Sequence, residues 1–330
     1  MKWQQLMKKA FQLKATDIHI EEELPVFFRY GNRFESFDEC GVFPKAFLED
    51  ELGDVGKQGD FSYAYDGRRF RAHQYCAEGR TCYTLRVLPE ETGNVESDIH
   101  ADLWKEICAS EEGLVLVTGP TGSGKSYTLA SCLSYINRTV SKHIITLEDP
   151  IEYMFKNDKS CFHQRELYRD VLTMEEGLKG ALREDPDIIM IGEMRDGATV
   201  EAALKAAETG HLVFATLHTA SSVQAIGRIL SFFSGEQQEE IRNVLSHVLL
   251  AIICQRLLRS PEGFYPLRDI LLNNQAVSNL IRQGKEHQIA SIQETQRSMQ
   301  TFKKAIELGE RSWKVPYDWS YLKEHYRKEE

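Results

Sequence analysis

At 330 residues the chain is long for one domain, and two is the natural expectation. A hydrophobic share of 42% with 27% charged residues describes an ordinary soluble globular protein, and the net charge of -10 argues against a dedicated nucleic-acid binder. The seven cysteines (Cys40, Cys76, Cys82, Cys108, Cys132, Cys161 and Cys254) are odd in number and contain no C-x-x-C pair, so neither a zinc ribbon nor a disulfide framework is indicated.

Residues 1–14 (MKWQQLMKKAFQLK) are basic and amphipathic, with Trp3, Leu6, Met7, Ala10 and Phe11 on one helical face. They lack arginine, serine and a signal-type cleavage site, and read as the first helix of a folded domain rather than a targeting peptide. Residues 15–89 alternate in strand fashion through "DIHIEE", "VFFRYGNRF", "FSYAYDGRRFRAHQY" and "CYTLRVLP". Asp66-Gly67 between two such segments is a hairpin signal. A small α+β domain over 1–89 is expected, followed by a polar linker over 90–100 that includes "EETGNVESD".

From residue 101 the pattern changes. "LVLVTG" (114–119) is a short buried strand that enters a glycine-rich turn and then the helical "KSYTLASCLSYI". "HIITLED" and "DIIMIGE" are two further strands, each ending in acid. "GATVEAALKAAETG" reads as a helix stopped by Gly210, and "HLVFATLHT" as another strand. Buried strands alternating with helices predict a mostly parallel sheet over 101–235, covered on both faces. Strands are expected to cease after residue 235, because Ile241, Val244, Leu245, Val248, Leu249 and Ile252 fall at helical spacing. A helical region is therefore expected over 236–330. The longest apolar run, Val248–Cys254, is far short of the roughly 20 residues that span a bilayer.

"GPTGSGKS" fits G-x-x-x-x-G-K-[ST], running Gly119, Pro120, Thr121, Gly122, Ser123, Gly124, Lys125, Ser126. Glycines let backbone N–H groups turn inward around phosphate oxygens, and the following helix adds its positive end. Lys125 is placed to reach the β- and γ-phosphates of ATP, and the Ser126 hydroxyl to reach Mg²⁺. In "LREDPDIIMIGEMRD" (182–196), Asp187 stands at the start of a strand and Glu193 at its end. Glu193 is thus the expected carboxylate of the Mg²⁺ shell, on a strand beside the phosphate loop. "IITLEDPIEY" (144–153) leaves a buried strand through Glu148, Asp149 and Glu152.

These motifs resemble those of the secretion and type IV pilus ATPases, most closely the PilT-type retraction ATPases. Four match in order: the phosphate loop at 119–126, the Asp box at 144–153, the Walker B signature at 182–196, and the His box "TGHLVFATLHT" at 209–219. The resemblance implies a RecA-like P-loop NTPase domain with a PAS-like N-terminal domain and C-terminal helices. It implies that Glu148, on a strand adjacent to the one feeding the phosphate loop, is the base that orients the attacking water. Asp149 and Glu152 are expected to cap the next segment or pair with arginines. By the same resemblance His218 contacts the phosphates or the acidic cluster. His211 either bridges to a neighbouring subunit or is a core histidine. Arg195 is expected to brace Glu193. The family brings arginines from the N-terminal domain onto ATP, and Arg71, Arg80 and Arg86 are the matching candidates, with solvated strand-face charges as the alternative for each.

The compact N-terminal domain and the lack of a tetracysteine site favour retraction over assembly, secretion or DNA uptake. "AVSNLIRQ" (276–283) resembles the retraction motif A-I-R-N-L-I-R-E, with Ser278 and Gln283 in place of arginine and glutamate. The implied protein is a hexameric MgATP-hydrolysing motor of type IV pilus retraction. It would be cytoplasmic, peripheral at the inner face of the membrane, partnered by a membrane platform protein and without direct nucleic-acid contact. The aromatic tail "WKVPYDWSYLKEHY" (313–326) either docks a partner or packs on its own domain.

Overall fold

Period-two alternation over the first third of the chain produces a sheet with one covered face. The computed structural model describes residues 2–31, 33–37, 41–53, 58–88, 92–260 and 263–312, so the aromatic tail and Cys40 lie outside the described residues. Two compact units emerge, one of Met1–Thr92 with Pro150–Met154, the other of Gly93–Asp149 with Phe155–Glu330.

The first unit contains α1 (Lys2–Gln12), β1 (Asp17–Glu21), β2 (Val26–Tyr30), β3 (Arg33–Phe37), α2 (Lys45–Leu52), β4 (Gly59–Tyr65), β5 (Arg68–Ala77) and β6 (Arg80–Val87). Its sheet runs β3-β2-β1-β6-β5-β4, antiparallel throughout. Trp3, Leu6, Met7 and Ala10 of α1 are buried in one core with Ile18, Ile20, Phe28, Phe70 and Leu85 of the sheet. The buried indole N–H of Trp3 donates to the Tyr63 hydroxyl at 2.9 Å, which donates in turn to Glu51 at 2.6 Å. Asp66 and Gly67 both take positive φ (49° and 77°), as a two-residue turn between β4 and β5 requires.

The second unit contains α3 (Ala101–Cys108), β7 (Gly113–Thr118), α4 (Lys125–Thr139), β8 (His143–Glu148), β9 (Cys161–Glu166), α5 (Met174–Ala181), β10 (Ile188–Ile191) and α6 (Gly197–Glu208). It continues with β11 (Leu212–Leu217), α7 (Ser222–Leu230), α8 (Gly235–Val248), β12 (Leu249–Ser260), β13 (Gly263–Leu272), α9 (Gln275–Arg282), α10 (Ile289–Thr295) and α11 (Phe302–Ser312). Among the described residues the sheet runs β13-β12-β7-β11-β10-β8-β9, parallel except for the β12–β13 pair. Successive side chains enter opposite cores. Leu116, Ile145, Ile189 and Val213 pack with α6, α7 and α8, while Val115, Ile144, Met190 and Phe214 pack with α3 and α4. Every residue of β7, β10 and β11 is buried, which explains their unbroken apolar runs. No helix among the described residues is long and apolar enough to cross a membrane.

Three expectations are corrected. Strands do not cease at residue 235: the helical period ends with α8 at Val248, and β12 and β13 follow. "LLAIIC" lies between two strands, so it is apolar on both faces and shows no period of its own. Nor is β8 beside β7, because β11 and β10 stand between them. For the same reason β10 is the second neighbour of β7 rather than the first.

Residues 93–100, in the stretch read as linker, pack within the second unit. Val95 is buried with Trp104, and Asp98 accepts two bonds from Arg268, at 2.6 and 2.7 Å. The Arg268 guanidinium also lies 5.3 Å from the Trp104 ring centre, and the residue is 2% exposed. Burial pushes the Asp98 carboxyl up, but Arg268 and the His100 N–H outweigh it and hold it below the usual carboxylate range. A depressed folded-state value means the pair's contribution is present above the unfolded value of about 4 and lost as pH falls through the folded one. Asp98→Ala should therefore cost roughly 3–5 kcal/mol at neutral pH by leaving a buried cation unpaired. The Asp98→Asn, Arg268→Met double variant should recover part of that loss, and thermal melting checks both.

Candidate active site

β7 ends at Thr118 and the chain turns through Gly119–Ser126 into α4. Gly119, Gly122 and Gly124 take φ of +138°, +77° and +84°, a region closed to most residues that carry a β-carbon. Space closes it further at Gly119, where a β-carbon would lie 2.2 Å from the Gln255 carbonyl oxygen and 2.7 Å from Ser123 Oγ. No side chain caps α4, so its first N–H groups and positive end remain available to an anion. Ser123 is 3% exposed, and its Oγ has no hydrogen-bond partner among the described residues. A glycine cradle, a helix end and an orphaned hydroxyl fit a phosphate group. Ser126 in the first turn and Glu193 supply oxygen donors of the kind Mg²⁺ takes.

Lys125 Nζ donates to the carbonyls of Gly119 (2.8 Å) and Pro120 (3.2 Å) and lies 3.5 Å from His218 Nδ1. His218 Nε2 lies 3.3 Å from Glu193 Oε1. Arg195 donates to Glu193 Oε2 at 2.9 Å and to Asp149 Oδ2 at 2.8 Å. The structure thus joins Lys125, His218, Glu193, Arg195 and Asp149 in one chain of alternating partners. Arg195 braces Glu193, and Asp149 pairs with an arginine, as the sequence suggested. The backbone about Glu193 is fixed from both sides. Gly192 N–H donates to the Leu147 carbonyl (2.8 Å), Met194 N–H to that of Thr216 (3.1 Å), and the Thr216 hydroxyl to that of Gly192. Asp187, at the far end of β10, is held by Lys142 and the His143 N–H.

Glu148 is buried, and its Oε1 accepts from Thr146 Oγ1 at 2.7 Å and Gln164 Nε2 at 3.2 Å. By strand alternation Thr146 and Glu148 share the face of Ile144, which packs in one core with Leu129, Leu133 and Ile136 of α4. Glu148 therefore stands on the α4 side of the sheet. His211 has a partner within the chain, its Nδ1 2.9 Å from the carbonyl of Ala206 in the last turn of α6.

The three arginines lie on the first unit. Arg71 of β5 and Arg86 of β6 are directly opposite in register. Arg80 sits six residues before Arg86, about 20 Å away along the strand. Arg86 donates to Asp17 and Arg80 to Glu21, each at 2.8 Å, while Arg71 lies 3.8 Å from Asp60.

Sequence reasoning missed Gln255. It is 1% exposed in β12, with Nε2 donating to Ser123 O at 2.7 Å and Oε1 accepting from Thr128 Oγ1 at 3.0 Å. One uncharged amide inside the apolar run "LLAIICQRLL" was the available signal.

Burial and then the nearby Lys125 push His218 below the ordinary histidine value, against the opposing pull of Glu193. The imidazole is therefore neutral at pH 7. Lys125→Met should raise its titration midpoint, and Glu193→Gln should lower it further. Histidine ring-proton NMR titration of the nucleotide-free protein checks both directions.

A family model described as "Type II/IV secretion system protein" matches residues 81–307. The "Twitching motility protein" of Neisseria gonorrhoeae is 40% identical over 82% of this chain and 75% of its own length. The "Type IV pilus retractation ATPase PilT" of Pseudomonas aeruginosa is 38% identical over 87% of each chain. The crystal structure of the pilus retraction motor PilT with bound ADP superposes with a TM-score of 0.85, at 40% identity over 95% of this chain and 94% of that one. With its glycine loop on a parallel sheet and matches over nearly its whole length, the chain belongs to the type II/IV secretion system protein family, as a nucleotide-binding ATPase of RecA-like fold.

Proposed function

We propose that this chain assembles into a hexameric ring that hydrolyses MgATP and drives type IV pilus retraction. The observation that carries the reading is the meeting of Lys125, His218 and Glu193 above the glycine loop. The likeness to the retraction motor, over almost all of both chains, supplies the direction of work. In this reading the backbone of Gly119–Ser126 cradles the phosphates and Lys125 neutralises charge on their oxygens. Ser126 and Glu193 would hold Mg²⁺, which would supply positive charge beside the transferring phosphoryl group. Glu148 takes the proton of the attacking water. Neutral His218 relays between Lys125 and Glu193, keeping both oriented.

Arg71, Arg80 and Arg86 supply further positive charge to ATP bound by a neighbouring subunit. Arg71 and Arg86 face each other in register, so they would act together and Arg80 at a separate contact. The ring works at the inner face of the cytoplasmic membrane against a platform protein, with no direct contact to nucleic acid. α9 carries the stretch that resembles the retraction motif. Ser278 there turns inward, its hydroxyl donating to the Ser246 carbonyl at 2.5 Å, which ties α9 to α8.

Lys125→Ala should abolish hydrolysis and weaken nucleotide binding. Glu148→Gln should keep binding but lower turnover by roughly 10²–10⁴-fold, the range of a lost general base. If Glu193→Gln abolishes phosphate release while Glu148→Gln does not, the two roles are exchanged. Replacing Arg80 or Arg86 by alanine should lower turnover without loss of binding, and per-chain activity should rise with protein concentration as rings assemble.

Deletion of the gene should leave cells with at least the parental number of pili but no twitching, and Lys125→Ala should reproduce this. Bald cells would assign the motor to pilus assembly instead.

A further inference from the structure

β12 runs parallel to β7 and passes close behind the glycine loop. Both the backbone and the side chain of Gln255 meet that loop. Its carbonyl oxygen stands 2.2 Å from the position of a β-carbon on Gly119, and its Nε2 lies 3.2 Å from the position of a β-carbon on Gly124. The side-chain amide is used at both ends, by Ser123 O at 2.7 Å and Thr128 Oγ1 at 3.0 Å. Those partners fix its orientation. A backbone carbonyl can only accept, so it must face Nε2, which leaves Oε1 to take the Thr128 hydroxyl proton.

Planarity supplies the consequence. The peptide joining Ser123 to Gly124 is flat and trans, so its C=O and N–H point in opposite directions. A bond that draws Ser123 O toward β12 aims the Gly124 N–H away from β12, into the concave side of the loop. We infer that Gln255 is a positioning residue for phosphate binding: its amide holds the Ser123–Gly124 peptide so that a backbone N–H faces the phosphates of a nucleoside di- or triphosphate. Gln255 itself touches no substrate atom. Thr128, one turn into α4, locks the amide and ties the helix to the same anchor. The inference rests on Gly119–Ser126 being the nucleotide loop.

Two substitutions separate positioning from packing. Gln255→Leu puts an apolar group of similar size in β12 and removes both bonds. Gln255→Glu sets a carboxylate against a carbonyl oxygen, but the same group when protonated regains an O–H donor.

ADP affinity of the full chain, read with a fluorescent ADP analogue, should fall about tenfold in Gln255→Leu. The KM for ATP should rise in parallel, with kcat changed less. In Gln255→Glu the loss should shrink as the medium goes from about pH 8 to about pH 6, because burial raises the carboxyl's pKa and it takes up a proton there. The parent protein, measured alongside, should not follow that trend.

A residue that only packs would lower the melting temperature and leave affinity alone. ADP affinity within about twofold of the parent in Gln255→Leu overturns the inference. So does a loss in Gln255→Glu that is independent of pH. If neither variant folds, Thr128→Val decides: a loss of about threefold or more supports the anchor, and unchanged affinity overturns it. Failure of the parent chain to bind ADP would instead reject the nucleotide loop itself.

Discussion

The site depends on strand register. In a parallel sheet all strands end at the same edge, and the pairing sets how far each one reaches. Here Thr118 of β7 pairs with Leu217 of β11, while Ile191, the last residue of β10, pairs with Ala215 and Leu147. β10 therefore stops short of β7 and β11, and Gly192 and Glu193 leave the sheet at the level where the glycine loop begins to rise. Gly192 suits that point, since a β-carbon there would lie 3.2 Å from the Leu147 carbonyl oxygen and 3.3 Å from Glu148 Cα, tight against backbone atoms. A slip of one residue would turn every side chain of β10 to the other core and move Glu193 off His218.

Two carboxylates leave neighbouring strands into different surroundings. Glu193 is partly exposed and pairs with Arg195 and His218, so its charge is neutralised by a cation and its direction is set by an imidazole. Glu148 is buried and takes a hydroxyl and an amide N–H. This difference in partners accompanies the two roles proposed, metal-side anion for Glu193 and proton acceptor for Glu148. It arises from which strand lies beside each residue: Gln164 belongs to β9, the edge partner of β8, and His218 follows β11.

The parts legible in the sequence were those whose chemistry is local. Gly119, Gly124 and Lys125 stand in one short stretch, and Arg195 is two residues from the carboxylate it braces. The alternation over 17–87 and the turn at Asp66-Gly67 are likewise near-neighbour signals. Strand order is not local. Nothing in "IITLED" says that β11 and β10 come between it and the phosphate loop, so the sequence alone puts Glu148 beside the wrong strand. β12 was hidden for another reason. It follows α8 without a break, and a strand paired on both sides is as uniformly apolar as a buried helix. Gln255 is far in sequence from the loop it touches, and a glutamine carries no motif.

β12 and β13 also change how the end of the chain relates to the site. Cys254 donates from its thiol to the Thr219 carbonyl at 3.4 Å, one residue past His218. Asp269 of β13 accepts from the N–H and hydroxyl of Ser222, each at 2.8 Å, where α7 begins. Gln293 of α10 completes that buried group, donating to Asp269 at 2.8 Å and to Ser222 Oγ at 3.0 Å. The segment that leaves His218 is thus held by both late strands and by a C-terminal helix, and β12 grips the glycine loop through Gln255. β12, β13 and α10 therefore form a wall of the site.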